Sequence, residues 1–298
     1  MPSTSPLHSG QVVAAYGRQY LVELNEGEII TCFTRAKRSL LACGDHVAVM
    51  RTAPGQGVVE AIDPRRTLLY RSDAHRQKLI AANIDQVVIV LAPFPSFYQE
   101  LLDRCLVAAE HERIRPLIVL NKFDLVDQSE NPRQTLRLYE TLGYKVLTLI
   151  AKEDVAPLRP QLQNRLSVLI GQSGMGKSTI INALIPGAHA LVGDISIALD
   201  SGRHTTTHAK LYRLDARSGL IDSPGMQAFG LHHIPVSKLQ FCFPEFRPFL
   251  GQCRFADCAH YGEPDCAVRS AAHSGDIDAH RMRTYRRLVE EARRLPRL

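Results

Sequence analysis

The sequence lacks a long hydrophobic run and an internal repeat, and we expect no secretory leader. Its longest apolar stretch, Val87 to Phe94, is far shorter than the ~20 residues that a membrane-spanning helix needs. The opening residues, MPSTSPLHSGQ, contain neither a basic start nor an apolar segment, so we expect a cytoplasmic protein with no membrane partner. Low complexity is confined to the Ser/Thr/Pro-rich residues 1–9, which we expect to form a flexible tail.

Neither the charge nor the apolar content is extreme. Of the 298 residues, 45% are hydrophobic and 22% are charged, which excludes collagen-like or wholly disordered structure. The length of the chain is typical of about two globular domains. The net charge of +6 indicates a polyanionic partner. Residues 281–298 contain seven arginines against Glu290 and Glu291. This stretch predicts either a solvated helix face or a helix that contacts RNA.

Two different patterns of hydrophobic residues follow one another along the chain. Between residues 10 and 62, five short strand-like runs separated by Gly, Asn and Asp turns predict a small β-barrel, either OB-type or SH3-like. From about Asn83, continuous Val/Ile/Leu runs alternate with helical stretches near residues 100–111 and 133–142. This alternation predicts an α/β domain whose parallel sheet is buried on both faces.

A phosphate-binding motif follows one of these strands. The strand at residues 167–170 leads into GQSGMGKST, which fits G-x-x-x-x-G-K-[ST], and a helix-like segment comes next. Glycines let the backbone wrap phosphates, the helix N-terminus favours negative charge, and Lys177 reaches the outer phosphates. The hydroxyl of Ser178 is the expected Mg²⁺ ligand. The predicted nucleotide-binding residues are Gly171, Gln172, Ser173, Gly174, Met175, Gly176, Lys177, Ser178 and Thr179.

A base-recognition motif lies earlier in the chain. Asn121-Lys122-Phe123-Asp124 follows the strand at residues 116–120 and resembles the N-K-x-D motif of GTPases. The two oxygens of Asp124 can accept from N1–H and the exocyclic amine of guanine, donors that adenine does not present in that arrangement. The resemblance implies that Asn121 ties the base to the surrounding loops while the stem of Lys122 lies over the ring. Residues 149–152 lie where an S-A-K motif is expected but lack its serine.

Two further segments resemble the parts of GTPases that respond to the γ-phosphate. Asp222-Ser223-Pro224-Gly225 follows a short strand and resembles D-x-x-G, in which the Asp orients Mg²⁺ through water and the Gly N–H meets the γ-phosphate. The sequence GRHTTT at residues 202–207 lies between the phosphate loop and D-x-x-G, where the first switch loop is expected. The resemblance points to Thr206 as a second Mg²⁺ ligand.

The order of the motifs is unusual. Asp124 precedes Gly171 by 47 residues, whereas ordinary GTPases place the phosphate loop first. A circular permutation fits this order, because each loop follows a parallel strand and lies on the same carboxyl edge whichever strand comes first. The D-x-x-G loop then leads directly into the C-terminal part of the chain.

The seven cysteines include a cluster with metal-ligand spacing. In a reducing compartment, clustered cysteines favour metal binding over disulfides. The pattern C-x4-C-x-H-x5-C supplies the four ligands of one closed structural Zn²⁺ site from Cys253, Cys258, His260 and Cys266. The alternative is four unrelated side chains. The cysteines expected to be ordinary semi-buried thiols are Cys32, Cys43, Cys105 and Cys242.

Together these motifs resemble the ribosome small-subunit-dependent GTPase A family over residues 10–298. The resemblance implies a monomer that hydrolyses GTP to GDP, is stimulated by the small (30S) ribosomal subunit, assists its late maturation and binds 16S rRNA. Zn²⁺ and Mg²⁺ are the implied metals. The implied domains are an OB-like barrel at residues 10–64, a circularly permuted GTPase domain at 65–228 and a zinc-binding domain with a basic C-terminal helix at 229–298.

The residue that positions the attacking water is not the usual one. Ras-like enzymes use a Gln directly after D-x-x-G, but Met226 stands there and Gln227 is displaced by one position. The resemblance points instead to His204, whose alternative is a polar loop residue with no catalytic part. The expected catalytic residues are therefore Lys177, His204 and Thr206.

Two other functions remain open from the sequence. One is an ATP-using kinase or transport ATPase, because a phosphate loop alone does not name the base. The other is an RNA-binding assembly factor that senses GTP without turning it over.

Overall fold

The computed structural model describes residues 6–35, 41–72, 77–126, 132–188, 209–223 and 228–294, and the structural statements below concern these residues. Thirteen strands and seven α-helices are assigned within them. None of these helices is long and apolar enough to cross a bilayer.

The first five strands close into a barrel. The sheet order is β1-β2-β3-β5-β4, with β4 pairing back onto β1. The β3–β5 pair is parallel and the other four pairs are antiparallel, which is the strand order of an OB-type barrel. The predicted five-stranded barrel is confirmed, and the pairing favours the OB-type over the SH3-like alternative. The flexible tail expected over residues 1–9 is wrong for residues 7–9, because these residues belong to β1 and pair with β4. The strands are β1 (Leu7–Tyr16), β2 (Gln19–Leu24), β3 (Ile29–Thr34), β4 (His46–Ala53) and β5 (Gln56–Ile62).

Six later strands form the predicted α/β sheet. Their order is β10-β9-β8-β11-β13-β12, and all pairs are parallel except β12–β13. Every residue of β8 is buried, as expected for a strand covered on both faces. The strands are β8 (Gln86–Leu91), β9 (Arg115–Leu120), β10 (Lys145–Thr148), β11 (Leu166–Ile170), β12 (Lys210–Arg213) and β13 (Gly219–Asp222). The helices are α1 (Gln99–Glu112), α2 (Pro132–Thr141), α3 (Arg159–Leu162) and α4 (Lys177–Leu184).

The barrel continues into this sheet through one strand pair. Strand β1 pairs antiparallel with β12 at Ala14 and Lys210, so eleven strands form one hydrogen-bonded sheet. The side chain of Arg213 in β12 donates to Gln11 at 2.8 Å and to Glu23 at 3.0 Å. These bonds fix the barrel against the edge of the α/β sheet.

A hairpin that the sequence analysis did not predict lies between the barrel and the α/β sheet. It consists of β6 (Leu68–Ser72) and β7 (Gln77–Ala82), and it forms a two-stranded sheet of its own. The backbone N–H of Ser72 donates to the carbonyl of Gly230 at 2.9 Å, and Ser72 bridges Leu231. The hairpin therefore contacts the segment that follows the D-x-x-G motif.

The C-terminal part packs short helices around buried aromatic rings. Phe243 and Phe246 stack with ring centroids 5.0 Å apart, and Tyr285 meets both rings edge-on. The last helix is preceded by Asp278, whose carboxylate accepts from two backbone N–H groups as an N-cap. The α-helices are α5 (Val236–Leu239), α6 (Ala267–Ser274) and α7 (Ala279–Arg293), and 3₁₀ turns span Gln240–Cys242 and Pro244–Phe249.

A buried ionic network attaches α7 to the α/β part of the chain. Asp103 and Arg281 are both 0% exposed, and the guanidinium donates to Asp103 at 2.8 Å and to Glu245 at 2.6 Å. Asp103 also accepts from the hydroxyls of Tyr139, at 2.7 Å, and Thr284, at 2.8 Å. Three elements, α1, α2 and α7, thus meet at one carboxylate.

One arginine of the C-terminal helix departs from the expected exposed face. Arg281 is buried, whereas the described arginines that are exposed on this helix and at its end are Arg283, Arg287, Arg293 and Arg294. Counting charges could not single out Arg281, because it cannot tell which side of a helix packs against acidic residues elsewhere in the fold.

Candidate nucleotide site and metal centre

The predicted nucleotide motifs meet at one edge of the sheet. The phosphate loop follows β11, Asn121 follows β9, and Asp222 ends β13. Because these strands are parallel and lie within four neighbouring positions of the sheet, their carboxyl ends share an edge. Chain order differs from spatial order, yet the loops lie together.

Two glycines let the phosphate loop pass close to its neighbours. Gly171 has φ +152°, and a Cβ on it would lie 2.4 Å from the carbonyl oxygen of Val90. Gly176 has φ +92°, and a Cβ on it would lie 2.2 Å from Nδ2 of Asn121. Both distances are shorter than van der Waals contact, so side chains there would displace backbone or Asn121.

Lys177 is held over the loop by its own backbone. It begins α4, is 8% exposed, and its Nζ donates to the carbonyls of Gly171 and Gln172, each at 2.8 Å. Burial lowers the pKa of Lys177, and the nearby charge of Asp222 opposes that shift. Asp222 is itself 7% exposed. An ammonium group and a carboxylate are thus close together at the loop, with Ser178 exposed beside them.

Asn121 joins three loops. Its Nδ2 donates to the carbonyl of Met175 in the phosphate loop at 3.0 Å, and its Oδ1 accepts from the N–H of Ala151 at 3.0 Å. The segment at residues 149–152 therefore lies against the N-K-x-D motif although it lacks the serine. Asp124 lies on an exposed 3₁₀ turn, and Lys122, with φ +55°, donates from Nζ to the carbonyl of Phe94 at 3.0 Å.

The sequence analysis missed the loop after β8 at residues 92–98. Its Pro95 lies 3.2 Å from the position of a Cβ on Gly174, and the N–H of Tyr98 donates to Oε1 of Gln172 at 3.0 Å. Phe94 is 71% exposed beside Lys122. The position of this loop could have revealed its part in the site. Strand β8 lies between β9 and β11, so its carboxyl end is on the same edge of the sheet.

Several predicted residues lie outside the described part of the chain. They are His204, Thr206, Gly225, Met226 and Gln227, together with the rest of the GRHTTT segment.

The four predicted metal ligands converge in the C-terminal part. The ligand atoms of Cys253, Cys258, His260 and Cys266 all lie within 4.8 Å of one another. The Sγ atoms of Cys253 and Cys266 are 3.8 Å apart, and Nδ1 of His260 lies 3.5 Å and 3.3 Å from them. In a zinc tetrahedron, sulfur ligands lie about 3.8 Å apart and sulfur and nitrogen about 3.5 Å apart. The donor set therefore fits a tetrahedral ion.

The other ring nitrogen of His260 has a protein partner. Nε2 lies 2.7 Å from Oε1 of Gln240, which can only accept, so Nε2 carries the proton and Nδ1 is free to bind a metal. Glu263 accepts from the N–H groups of Ala259, Tyr261 and Gly262 and so shapes the turn that carries His260. Sequence spacing gave the ligands but not Gln240, which is twenty residues from His260.

The remaining cysteines lie apart from this cluster. Each is buried at 2% exposure or less, and burial raises the pKa of each thiol, as expected for packing residues. They are Cys32, Cys43, Cys105 and Cys242.

The phosphate loop, the base motif and Asp222 at one sheet edge, in permuted chain order, define a circularly permuted GTPase. The family model described as RsgA GTPase matches residues 62–232. The chain belongs to this family.

Close relatives and solved structures agree with this assignment. The chain is 52% identical over 286 residues to the small ribosomal subunit biogenesis GTPase RsgA of Nitrosospira multiformis, covering 96% of this chain and 91% of that protein. Identity to the protein of the same name from Nitrosomonas europaea is 51%, covering 95% and 91%. YjeQ from Thermotoga maritima superposes with a TM-score of 0.74 at 30% identity, covering 98% and 100%. YloQ, described as a circularly permuted GTPase, gives 0.70 at 26%, covering 100% and 99%.

Proposed function

We propose that the protein hydrolyses GTP to GDP and phosphate in the late maturation of the small ribosomal subunit, and that the subunit stimulates the reaction. The observation that carries the proposal is the double hydrogen bond of Asn121, which ties the guanine-type motif to the phosphate loop. The names of the relatives support the ribosomal role. Binding to 16S rRNA, a monomeric state and a cytoplasmic location belong to the same proposal.

In this proposal the phosphates lie along the loop and the base lies over the N-K-x-D turn. Lys177 exchanges its two carbonyl partners for the outer phosphate oxygens, and the loop N–H groups donate to the remaining phosphate oxygens. Asp124 accepts from guanine while Lys122 covers the ring. The nucleotide-binding residues are Asn121, Lys122, Asp124, Gly171, Gln172, Ser173, Gly174, Met175, Gly176, Lys177, Ser178, Thr179, Asp222 and Gly225.

Ser178 and Thr206 are the proposed Mg²⁺ ligands, and Asp222 orients the ion through water. Mg²⁺, when bound, supplies charge neutralisation at the β- and γ-phosphate oxygens. The exposed hydroxyl of Ser178 and the buried carboxylate of Asp222 are oxygen donors of the kind that this ion prefers. His204 is proposed to orient the attacking water when the subunit is bound.

Hydrolysis assays test the proposal directly. The full chain is incubated with GTP or ATP, with and without purified small subunits, and phosphate release is measured. We expect the rate of GTP hydrolysis to rise by more than ~10-fold when the subunit is added, and we expect ATP not to be hydrolysed. Equal use of ATP would favour the ATPase alternative. An unstimulated rate would favour the non-enzymatic GTP sensor.

A variant of the first switch tests the water-positioning residue. His204→Ala is expected to lower the stimulated kcat by about 100-fold, because a positioned side chain contributes a factor of this order to proton transfer. The matched control is His208→Ala, four residues away, which is expected to keep the stimulated rate. An unchanged stimulated kcat in His204→Ala would eliminate the proposed role.

We also propose that the Cys253, Cys258, His260 and Cys266 cluster holds one structural Zn²⁺. The tetrahedral spacing of the donors and the Gln240 bond to Nε2 support this ion. Four protein ligands close the coordination shell, so the ion would stabilise the fold without binding a water for catalysis. The proposed domain limits are residues 65–228 and 229–298 for the two later domains. The barrel is proposed to end at residue 64, and its first strand begins at Leu7 and not at residue 10 as expected.

Metal removal is expected to unfold this region. Structural zinc typically contributes about 10–16 kcal/mol of binding free energy to a small domain, so Cys258→Ser should lose both the ion and protease resistance after residue 229. Metal content by mass spectrometry and limited proteolysis measure the two effects. Cys32→Ser, a buried thiol in the barrel, is the control and should retain one ion. Unchanged proteolysis after verified metal loss would contradict the structural role.

A further inference from the structure

We propose that a basic groove at the junction of the α/β part and the C-terminal part binds a single-stranded RNA segment. The groove has a volume of about 740 Å³ and lies between the end of α1, the start of β9 and the turn after α5. The inference rests on the proposed ribosomal function and assigns a surface to it. The residues that line this groove and carry the argument are Arg113, Arg115, Lys238, Phe241 and Arg247.

The groove carries an excess of positive charge. Arg113, Arg115 and Lys238 are exposed, and their side chains have no acidic partner among the described residues. Arg247 donates to Glu110 at 2.9 Å, and Glu110 is the one carboxylate that the described part of the chain places in the lining. A net positive surface of this kind attracts phosphates.

An aromatic ring lies within this charged surface. Phe241 is 54% exposed, although apolar rings of this size are usually buried. Single-stranded nucleic acids are bound by positive grooves that follow the backbone and by aromatic rings on which bases stack. The combination of unpaired cations with an exposed ring therefore fits RNA better than an acidic protein, which offers no base to stack.

A small phosphate compound fits the groove less well. The three free cations are exposed to water, so each would hold an isolated anion weakly. A polyanion makes several such contacts at once and releases condensed counterions as it does so. The occupant inferred is accordingly a chain of phosphodiesters.

The groove is built on rigid elements and lies away from the nucleotide motifs. Ile114 and Cys242, at 3% and 2% exposure, form its floor, and the Arg247–Glu110 bond joins its two walls. Arg115 is the first residue of β9, whereas the nucleotide motifs follow the carboxyl ends of the strands. RNA in the groove would therefore leave the nucleotide site open.

The test measures binding of a fluorescein-labelled, mixed-sequence 12-nucleotide RNA to the full chain by anisotropy over a range of salt concentrations. Arg113→Gln/Arg115→Gln is expected to bind about tenfold more weakly at 0.1 M salt. Its slope of log K against log salt should fall in magnitude by about 1.4, because each lost contact to a single strand removes about 0.7. Arg137→Gln/Arg217→Gln removes the same charge from exposed positions outside the groove and should change neither quantity.

The ring is tested separately. Phe241→Ala should weaken binding by at least about fivefold, and Phe241→Tyr, which keeps the ring, should restore it. Equal weakening in both arginine double variants, or no effect of Phe241→Ala, would overturn the inference. Displacement of the RNA by poly-glutamate of equal charge, with Phe241→Ala unchanged, would identify an acidic-protein surface instead.

A second readout separates this inference from the proposed function. The same variants are assayed for basal GTP hydrolysis, which should be unchanged, and for affinity for purified small subunits, which should fall with RNA affinity. If the wild type is not stimulated by subunits, the proposed function fails whatever the groove does. If it is stimulated and the groove variants match the wild type in both affinities, only the groove inference fails.

Discussion

Replacing Lys177 by alanine is expected to lower kcat/KM for GTP by at least about 100-fold, the usual cost of removing one preorganised charge from a transition state. The ammonium is buried at the phosphate loop, where it donates to two loop carbonyls. A bound phosphate would take the place of these carbonyls as its hydrogen-bond acceptor. No other lysine among the described residues is buried. Phosphate release and nucleotide affinity are the measurements.

The fold should survive this substitution. Alanine is a good helix former at the start of α4, and burial already disfavours the charged form of Lys177, so the melting temperature should change little. Lys145→Ala, an exposed lysine at the amino end of β10, is the matched control and should keep full activity. A wild-type value of kcat/KM in a well-folded Lys177→Ala protein would contradict a role for the phosphate loop in the mechanism.

Replacing Asp103 by asparagine is expected to lower the free energy of unfolding by about 3–5 kcal/mol. Among the described residues, the change leaves the fully buried Arg281 with Glu245 as its only carboxylate partner, and it weakens the bonds that join α1, α2 and α7. Breaking a buried ion pair costs this much because a charge remains without its partner. Denaturant unfolding measures the loss.

A surface pair supplies the control for this substitution. Glu60→Gln removes the partner of Arg35, which is 67% exposed, and should cost less than about 1 kcal/mol. Similar losses of unfolding free energy in the two variants would contradict the larger contribution expected of the buried network.

The contribution of Asp103 should also depend on pH. Burial alone would raise its pKa, but its hydrogen-bond donors and the charge of Arg281 hold the pKa below its usual value. A carboxyl with a lowered pKa stabilises the fold fully above its unfolded pKa of about 3.9, and this stabilisation is lost as the pH falls through the folded pKa. The stability difference between wild type and Asp103→Asn should therefore be present near neutral pH and shrink as the solution becomes more acidic than about pH 4.

Local patterns predicted most of the fold and the motifs. The barrel strands and helices α1 and α2 follow hydrophobic period and turn residues, which are properties of neighbouring positions. The phosphate loop and the four metal ligands are short patterns whose residue types and spacing indicate their chemistry. The ranges expected for these elements differ from the observed bounds by only a few residues.

Features that depend on distant contacts could not be predicted in this way. The β6–β7 hairpin pairs with residues near Leu231, more than 150 positions away, and its strands carry polar residues that hide their period. Gln240 beside His260 and Asp103 beside Arg281 are single contacts between separate elements. Nothing in the local sequence marks either pair, because the packing of the whole chain brings them together.

The sheet order has a consequence for how the chain folds as it is synthesised. Strands β8, β9 and β10 are consecutive in the chain and adjacent in the sheet, and β11, β12 and β13 make up the other half. Among the described strands, only the β8–β11 pairing, between residues about 81 positions apart, joins the halves. The half that carries Asp124 can form before the phosphate loop has been made, and one non-local pairing then completes the site. Permutation is therefore expected to change the order of assembly, while the motifs still meet at one edge of the finished sheet.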